Sequence, residues 1–130
     1  AVVLFGGQIG SSKCNCQIYA GLDWVVLDNT VVRPDLMIVC GDQPARHLET
    51  APQLIIEVLS KSTEARDRRD KHELYESQGV KYYILADTAS RSVECFALEN
   101  ERYRAIDSAV PEFVLDESCK LRFDSQALFD

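Results

Sequence analysis

The chain has 130 residues, of which 46% are hydrophobic and 27% charged, a balance typical of one compact domain with its own core. Its formal net charge of −7 argues against a protein whose whole surface coats nucleic acid, but it is compatible with basic residues gathered at one cleft. No apolar run approaches the roughly 20 residues of a membrane-spanning helix, so we expect no transmembrane helix and no membrane partner.

The start of the chain favours a short apolar helix over residues 1–9, which ends at Gly10 and is weakened by the adjacent glycines at positions 6 and 7. The sequence opens without an initiator methionine and without the basic segment of a signal peptide. We therefore expect residues 1–130 to form a single domain that is truncated at its N-terminus.

The cysteines are odd in number and lack the paired spacing of zinc sites. This pattern favours buried, free thiols in a reducing cytoplasm over a metal site at Cys14 and Cys16. The five cysteines are Cys14, Cys16, Cys40, Cys95 and Cys119.

Alternating and continuous apolar segments predict a protein rich in β-strands. The expected strands are 14–20, 24–27, 31–40, 54–59, 81–86, 92–98, 102–106, 113–115 and 121–123. Hydroxyl residues at 60–63 predict the start of a helix that runs to about Gln78 and stops at Gly79. The strand after this helix is expected to return parallel, and the next two to form a hairpin. Residues 127–129 are expected to begin a further helix.

Two of the predicted strands carry a carboxylate where an apolar side chain would be less costly. Glu57 interrupts the apolar strand 54–59, and Asp35 follows Pro34, which cannot donate to a strand ladder and so marks an edge or a bulge. A buried carboxylate must be neutralised, paired or bound to a metal. The residues leave two alternatives open: a divalent-metal site, or ion pairs of Asp35 with Arg33 and of Glu57 with Lys71 or Arg33.

The predicted helix presents a stripe formed by Asp67, Lys71, Leu74 and Tyr75, in which the two apolar residues fix the helix against the sheet. Lys71 is then expected beside the end of the Glu57 strand. The first turns also carry Arg66, Arg68 and Arg69, either as a solvated face or as phosphate contacts. The loop residue His47 is expected to be solvated rather than a ligand.

Several of these segments together resemble the Uma-two family of restriction endonucleases, within the PD-(D/E)XK nuclease superfamily. The matching residues are Pro34-Asp35-Leu36-Met37-Ile38-Val39, Pro52-Gln53-Leu54-Ile55-Ile56-Glu57-Val58-Leu59-Ser60, Ser62-Thr63, Asp67, Lys71, Tyr75 and Gly79-Val80-Lys81-Tyr82-Tyr83-Ile84-Leu85. The resemblance covers most of the chain from about Cys14. It implies a restriction-endonuclease-like α/β fold, with a mixed β-sheet flanked by helices.

The resemblance also implies a site and a chemistry. Asp35, Glu57 and the backbone carbonyl of Val58 would bind Mg²⁺ or Mn²⁺, hard ions that prefer oxygen ligands. The activity implied is hydrolysis of DNA phosphodiester bonds, with Arg66, Arg68 and Arg69 as nucleic-acid contacts. The catalytic lysine of the superfamily stands two residues after the second acid, where this chain has Leu59. Lys71 is the expected substitute, and Lys61 is a weaker candidate.

The first hypothesis is thus a Mg²⁺-dependent endonuclease that uses Asp35, Glu57 and Lys71. The alternative is a catalytically inactive module that keeps the nuclease fold for dimerisation or nucleic-acid binding, and a third is a purely structural domain. A homodimer is expected by analogy with the superfamily. From the sequence we expect Glu57→Gln to abolish activity while stability stays equal or rises, because the substitution removes a buried charge.

Overall fold

The computed structural model describes residues 15–27, 30–44, 46–59, 65–107, 111–116 and 119–122, with the backbone alone described for residues 27, 65–68 and 116. The expected helices at the two ends of the chain, over residues 1–9 and from 127, lie outside these ranges. Within the described ranges there is no helix long and apolar enough to cross a membrane.

The described residues form ten strands and one helix. The strands are β1 (Cys16–Ala20), β2 (Trp24–Leu27), β3 (Thr30–Val32), β4 (Leu36–Cys40), β5 (Leu54–Leu59), β6 (Tyr82–Asp87), β7 (Ser92–Glu99), β8 (Arg102–Ala105), β9 (Glu112–Asp116) and β10 (Cys119–Arg122), and the helix is α1 (Ala65–Ser77). Six strands form the central sheet in the order β1-β4-β5-β6-β7-β8, while β2-β3 and β9-β10 form two small antiparallel sheets.

The central sheet is mixed, as the sequence predicts. β5 and β6 run parallel, joined through α1, and the other neighbouring pairs are antiparallel. The predicted β7–β8 hairpin is confirmed, as is the helix stop at Gly79, whose φ of 80° is readily adopted only by glycine.

Both faces of the central strands are covered, which explains their continuous apolar sequences. Alternate residues contact two separate clusters, since successive side chains of a strand point to opposite faces. One face packs against the β9–β10 hairpin, through Leu36, Ile38, Leu54, Ile56, Tyr82, Ile84, Phe113, Leu115 and Leu121. The other packs against α1 and β2, through Trp24, Met37, Val39, Leu48, Ile55, Tyr75, Val80, Tyr83 and Leu85.

The expected continuous strand over residues 31–40 is wrong, because the structure divides it into β3 and β4. The break comprises Arg33, Pro34 and Asp35. Pro34 has no N–H to give to a ladder, and pairing with β5 begins at Leu36, opposite Ile56. The interruption lies immediately beside the first of the two conspicuous carboxylates.

The expectation of free thiols is wrong for Cys16 and Cys40, which form a disulfide, and for Cys119, which is also disulfide-bonded. Cys16 and Cys40 lie directly opposite one another in the antiparallel β1–β4 pair, with Cα atoms 4.0 Å apart. Cys95 is a free, buried thiol, and exclusion from water raises its pKa to about 11.

Candidate functional site

Asp35 and Glu57 meet where the β4–β5 ladder ends. Beyond the last backbone pair, the two carboxylates continue the hydrogen bonding between the two strand ends. The Asp35 N–H donates to Glu57 Oε1 at 3.2 Å, and the Val58 N–H donates to Asp35 Oδ2 at 2.7 Å. The break at Pro34 therefore has a local consequence: backbone donors that a longer ladder would use are bound to side-chain oxygens.

Glu57 lies on the α1 face of the sheet and is 4% exposed. Its Oε2 is 3.0 Å from the Nζ of Lys71 and accepts a hydrogen bond from the Tyr75 hydroxyl, also at 3.0 Å. Lys71 and Tyr75 are four residues apart in α1 and so share one face of the helix. The buried carboxylate thus has a counter-charge and two neutral donors, which offset the cost of removing it from water.

Tyr75 is fully buried, and aromatic neighbours hold its ring. Trp24 of β2 stacks on it with 6.1 Å between ring centroids, and Tyr83 of β6 meets it edge-on at 5.2 Å. From the sequence, Tyr75 was expected as an apolar anchor of the helix, and its hydroxyl contact with Glu57 was missed. The spacing of four residues from Lys71 was the available signal, because it puts both polar groups on one stripe.

The structure brings together Asp35, Glu57 and Lys71, three of the residues singled out from the sequence. The alternative Arg33–Asp35 pair is wrong, since Arg33 Nε lies 2.7 Å from Asp23 Oδ1. This exposed hydrogen bond lowers the pKa of the Asp23 carboxyl and raises that of Arg33. Glu57 pairs with Lys71, as the ion-pair alternative anticipated.

The other candidate residues that the structure describes lie on β5, on α1 and in the loop that precedes β5. Val58 is 43% exposed at the end of β5, directly after Glu57. Arg69 is exposed on α1, while Arg66 and Arg68 belong to its first turns and their side chains lie outside the description. Lys61 also lies outside the described residues. His47 is exposed and lies 3.2 Å from Glu49.

The donor atoms at the end of the ladder suit a hard divalent cation. A carboxylate oxygen that accepts one hydrogen bond keeps a further lone pair, so Asp35 and Glu57 retain acceptor capacity beside their backbone donors. Within the described ranges, no three His, Cys, Asp or Glu side chains are grouped to hold a metal. Mg²⁺ commonly binds proteins through one or two carboxylates and keeps several waters, so two acids fit that ion.

Comparison with known proteins relates the chain to one protein family. The family model Uma2, described as "Putative restriction endonuclease", matches residues 7–121. The chain is 32% identical over 92 residues to the uncharacterized protein slr1290 of Synechocystis sp., a match that covers 68% of this chain and 45% of the relative. The chain thus spans about half the length of that relative.

A solved structure shares the fold. It is described as a putative nuclease belonging to DUF820 from Anabaena variabilis, and it superimposes with a TM-score of 0.76 at 15% sequence identity. The match covers 98% of this chain and 75% of the other. The family model matches 115 residues of the chain (7–121), and the chain has a nuclease-like fold. This chain therefore belongs to the Uma2 family of putative restriction endonucleases.

Proposed function

We propose that the chain is the catalytic domain of a metal-dependent DNA endonuclease, which hydrolyses phosphodiester bonds at the end of the β4–β5 ladder. The observation that supports this most is the convergence of Asp35 and Glu57, linked through the Asp35 N–H, with Lys71 3.0 Å from Glu57. Family membership supports the reaction class, and the geometry supports the residues.

In this proposal, Asp35, Glu57 and the carbonyl of Val58 hold Mg²⁺ or Mn²⁺. The bound cation supplies a Lewis acid for the phosphate oxygens. The protein contributes rigid ligands, because the Val58 N–H fixes Asp35 and the Asp35 N–H fixes one oxygen of Glu57. Since both carboxylates are held by backbone donors, little reorganisation is needed for them to bind a cation.

Lys71 takes the role of the absent strand lysine. Its ammonium group lies beside the Glu57 carboxylate, and its side chain is 36% exposed, so it contacts both the buried Glu57 and the solvent. A cation in this position can donate hydrogen bonds to a phosphate or orient an attacking water. The exposed Arg69, with Arg66 and Arg68 in the same helix, provides positive charge for the DNA backbone in an otherwise acidic chain.

The second candidate is a catalytically inactive nuclease-fold module that binds nucleic acid or dimerises. The Glu57–Lys71 ion pair favours this candidate, because it neutralises the buried carboxylate without a metal. Leu59 favours it too, since it occupies the usual position of the catalytic lysine.

Metal binding separates the two candidates. Calorimetric titration with Mn²⁺ and with Mg²⁺ is made on this chain, on Asp35→Asn and on Asp107→Asn, an exposed aspartate outside the site that serves as the matched control. We expect binding to the wild type and to Asp107→Asn that is lost in Asp35→Asn, and metal-dependent cleavage of plasmid DNA with the same pattern. A wild-type chain that binds neither ion would support the inactive module instead.

A further inference from the structure

The two oxygens of Glu57 have different partners. Oε2 receives the Tyr75 hydroxyl and the Lys71 ammonium, both at 3.0 Å, whereas Oε1 accepts the Asp35 N–H at 3.2 Å. The carboxylate is therefore held by the helix through one oxygen and lies next to Asp35 through the other. This division matters because a metal ligand must present a defined oxygen to the ion.

We propose that Tyr75 is a positioning residue, which holds Glu57 by Oε2 so that Oε1 is directed toward Asp35 and the cation bound there. This inference rests on the proposed metal-binding function. It concerns a residue that touches neither the substrate nor the metal, and whose effect passes through the Glu57 carboxylate.

Tyr75 is better suited to this task than Lys71, which binds the same oxygen. The tyrosine ring is 0% exposed and packed between Trp24 and Tyr83, so its hydroxyl has a fixed position. Lys71 has a long side chain that is 36% exposed, and its positive charge repels a divalent cation. The neutral hydroxyl orients the carboxylate without such repulsion, so Glu57 remains oriented when Lys71 turns toward substrate.

A role in stability alone is the competing explanation, and Tyr103 provides the matched control for it. The Tyr103 hydroxyl donates to the Val80 carbonyl at 2.7 Å, and its ring packs against the same Tyr83, with centroids 5.8 Å apart. Tyr75→Phe and Tyr103→Phe each remove a phenolic hydroxyl from the same aromatic cluster. Between the two, Tyr75→Phe alone removes a contact with Glu57.

The test is Mn²⁺ binding by calorimetry on the wild type and the two variants. We expect Tyr75→Phe to weaken Mn²⁺ binding about 10- to 100-fold, the usual effect of losing a hydrogen bond to a metal ligand, and Tyr103→Phe to bind as the wild type does. Equal affinity of Tyr75→Phe and wild type would overturn the inference while leaving the proposed function intact. Equal losses in both variants would overturn it too, in favour of a structural role.

A second measurement, the shift of the urea midpoint on adding Mn²⁺, can be made even on a variant that is partly unfolded. Metal that binds the folded chain raises the midpoint of urea denaturation, even when the starting stability is low. We expect added Mn²⁺ to raise the midpoints of the wild type and of Tyr103→Phe, while Tyr75→Phe needs about 10- to 100-fold more Mn²⁺ for the same rise. An equal response of Tyr75→Phe would refute the inference, and absence of any response in the wild type would refute the proposed function with it.

Discussion

Glu57→Gln tests whether the contacts of the buried carboxylate stabilise the fold. The carboxylate accepts from three donors: Lys71 and Tyr75 on Oε2, and the Asp35 N–H on Oε1. Glutamine offers one oxygen and one NH₂ group to the same three donors. With its oxygen toward Tyr75, the NH₂ group faces the Asp35 N–H; in the opposite orientation it faces both Tyr75 and Lys71. In either orientation, at least one donor faces another donor.

The expected loss is about 1–3 kcal/mol in the free energy of unfolding, the cost of leaving a buried polar group unsatisfied. It stays below the roughly 3–5 kcal/mol of a broken, fully buried ion pair, because Lys71 is 36% exposed and can turn into water. Removal of a buried charge acts in the opposite direction and was the basis for expecting equal or higher stability from the sequence. The three contacts change that expectation, since glutamine cannot satisfy all of them.

Urea denaturation followed by the fluorescence of Trp24, the single and buried tryptophan of the chain, measures this loss. The matched control is Glu99→Gln, which removes an exposed carboxylate that lies 2.9 Å from Arg104. The control should change stability by less than about 1 kcal/mol, as exposed ion pairs usually do. If Glu57→Gln were no less stable than Glu99→Gln, the hydrogen bonds to Glu57 would contribute nothing, and the argument from buried contacts would fail.

Two further predictions concern the cysteines. The Cys16–Cys40 disulfide joins residues 24 apart in sequence. Replacing both by alanine should lower the free energy of unfolding, measured by urea denaturation, by about 2–4 kcal/mol, mainly because the unfolded chain is less constrained. A loss no larger than that of Cys95→Ala, which removes no crosslink, would contradict this. Burial raises the pKa of Cys95 from 9.0 to about 11, so the native thiol should resist iodoacetamide at pH 8 and react once urea unfolds the chain, as measured by mass spectrometry. The free energy of unfolding should also fall as the pH rises from about 9 to about 11, because the thiol ionises in the unfolded chain before it does so in the folded one. Rapid labelling of the native chain at pH 8 would refute the burial argument.

The sequence predicts the strands well where burial dictates the pattern. The bounds of β2 and β5 match the expected segments, because each is a short run that is apolar apart from Glu57 in β5. The division of residues 31–40 was missed, although Pro34 marked the place, since alternation continues through the break. The disulfide was missed for a different reason: the register that sets Cys16 opposite Cys40 is a property of strand pairing, which no local pattern reveals.

In the candidate site, too, the features that depend on local periodicity were predicted, and those that depend on strand pairing were missed. Alternation along a strand and the spacing of four residues along a helix suffice to put Glu57 and Lys71 on facing surfaces. The reciprocal bonds between Asp35 and the strand of Glu57 depend on where the β4–β5 ladder stops, and so could not be predicted. The Asp23 partner of Arg33 comes from the connection between β1 and β2, outside the motif, and was missed likewise.

Packing at the end of β5 explains why an apolar residue, Leu59, occupies that position. Leu59 lies on the same face as Glu57, two residues further along, and its half-buried side chain packs against the cluster beneath α1. A lysine there would place a charged ammonium group where Leu59 makes an apolar contact beneath the helix. Lys71 of α1 brings a positive charge to Glu57, with its Nζ 3.0 Å from Oε2, while Leu59 packs half-buried against the cluster. The positive charge beside Glu57 therefore comes from the helix, and the strand position two residues further along stays apolar.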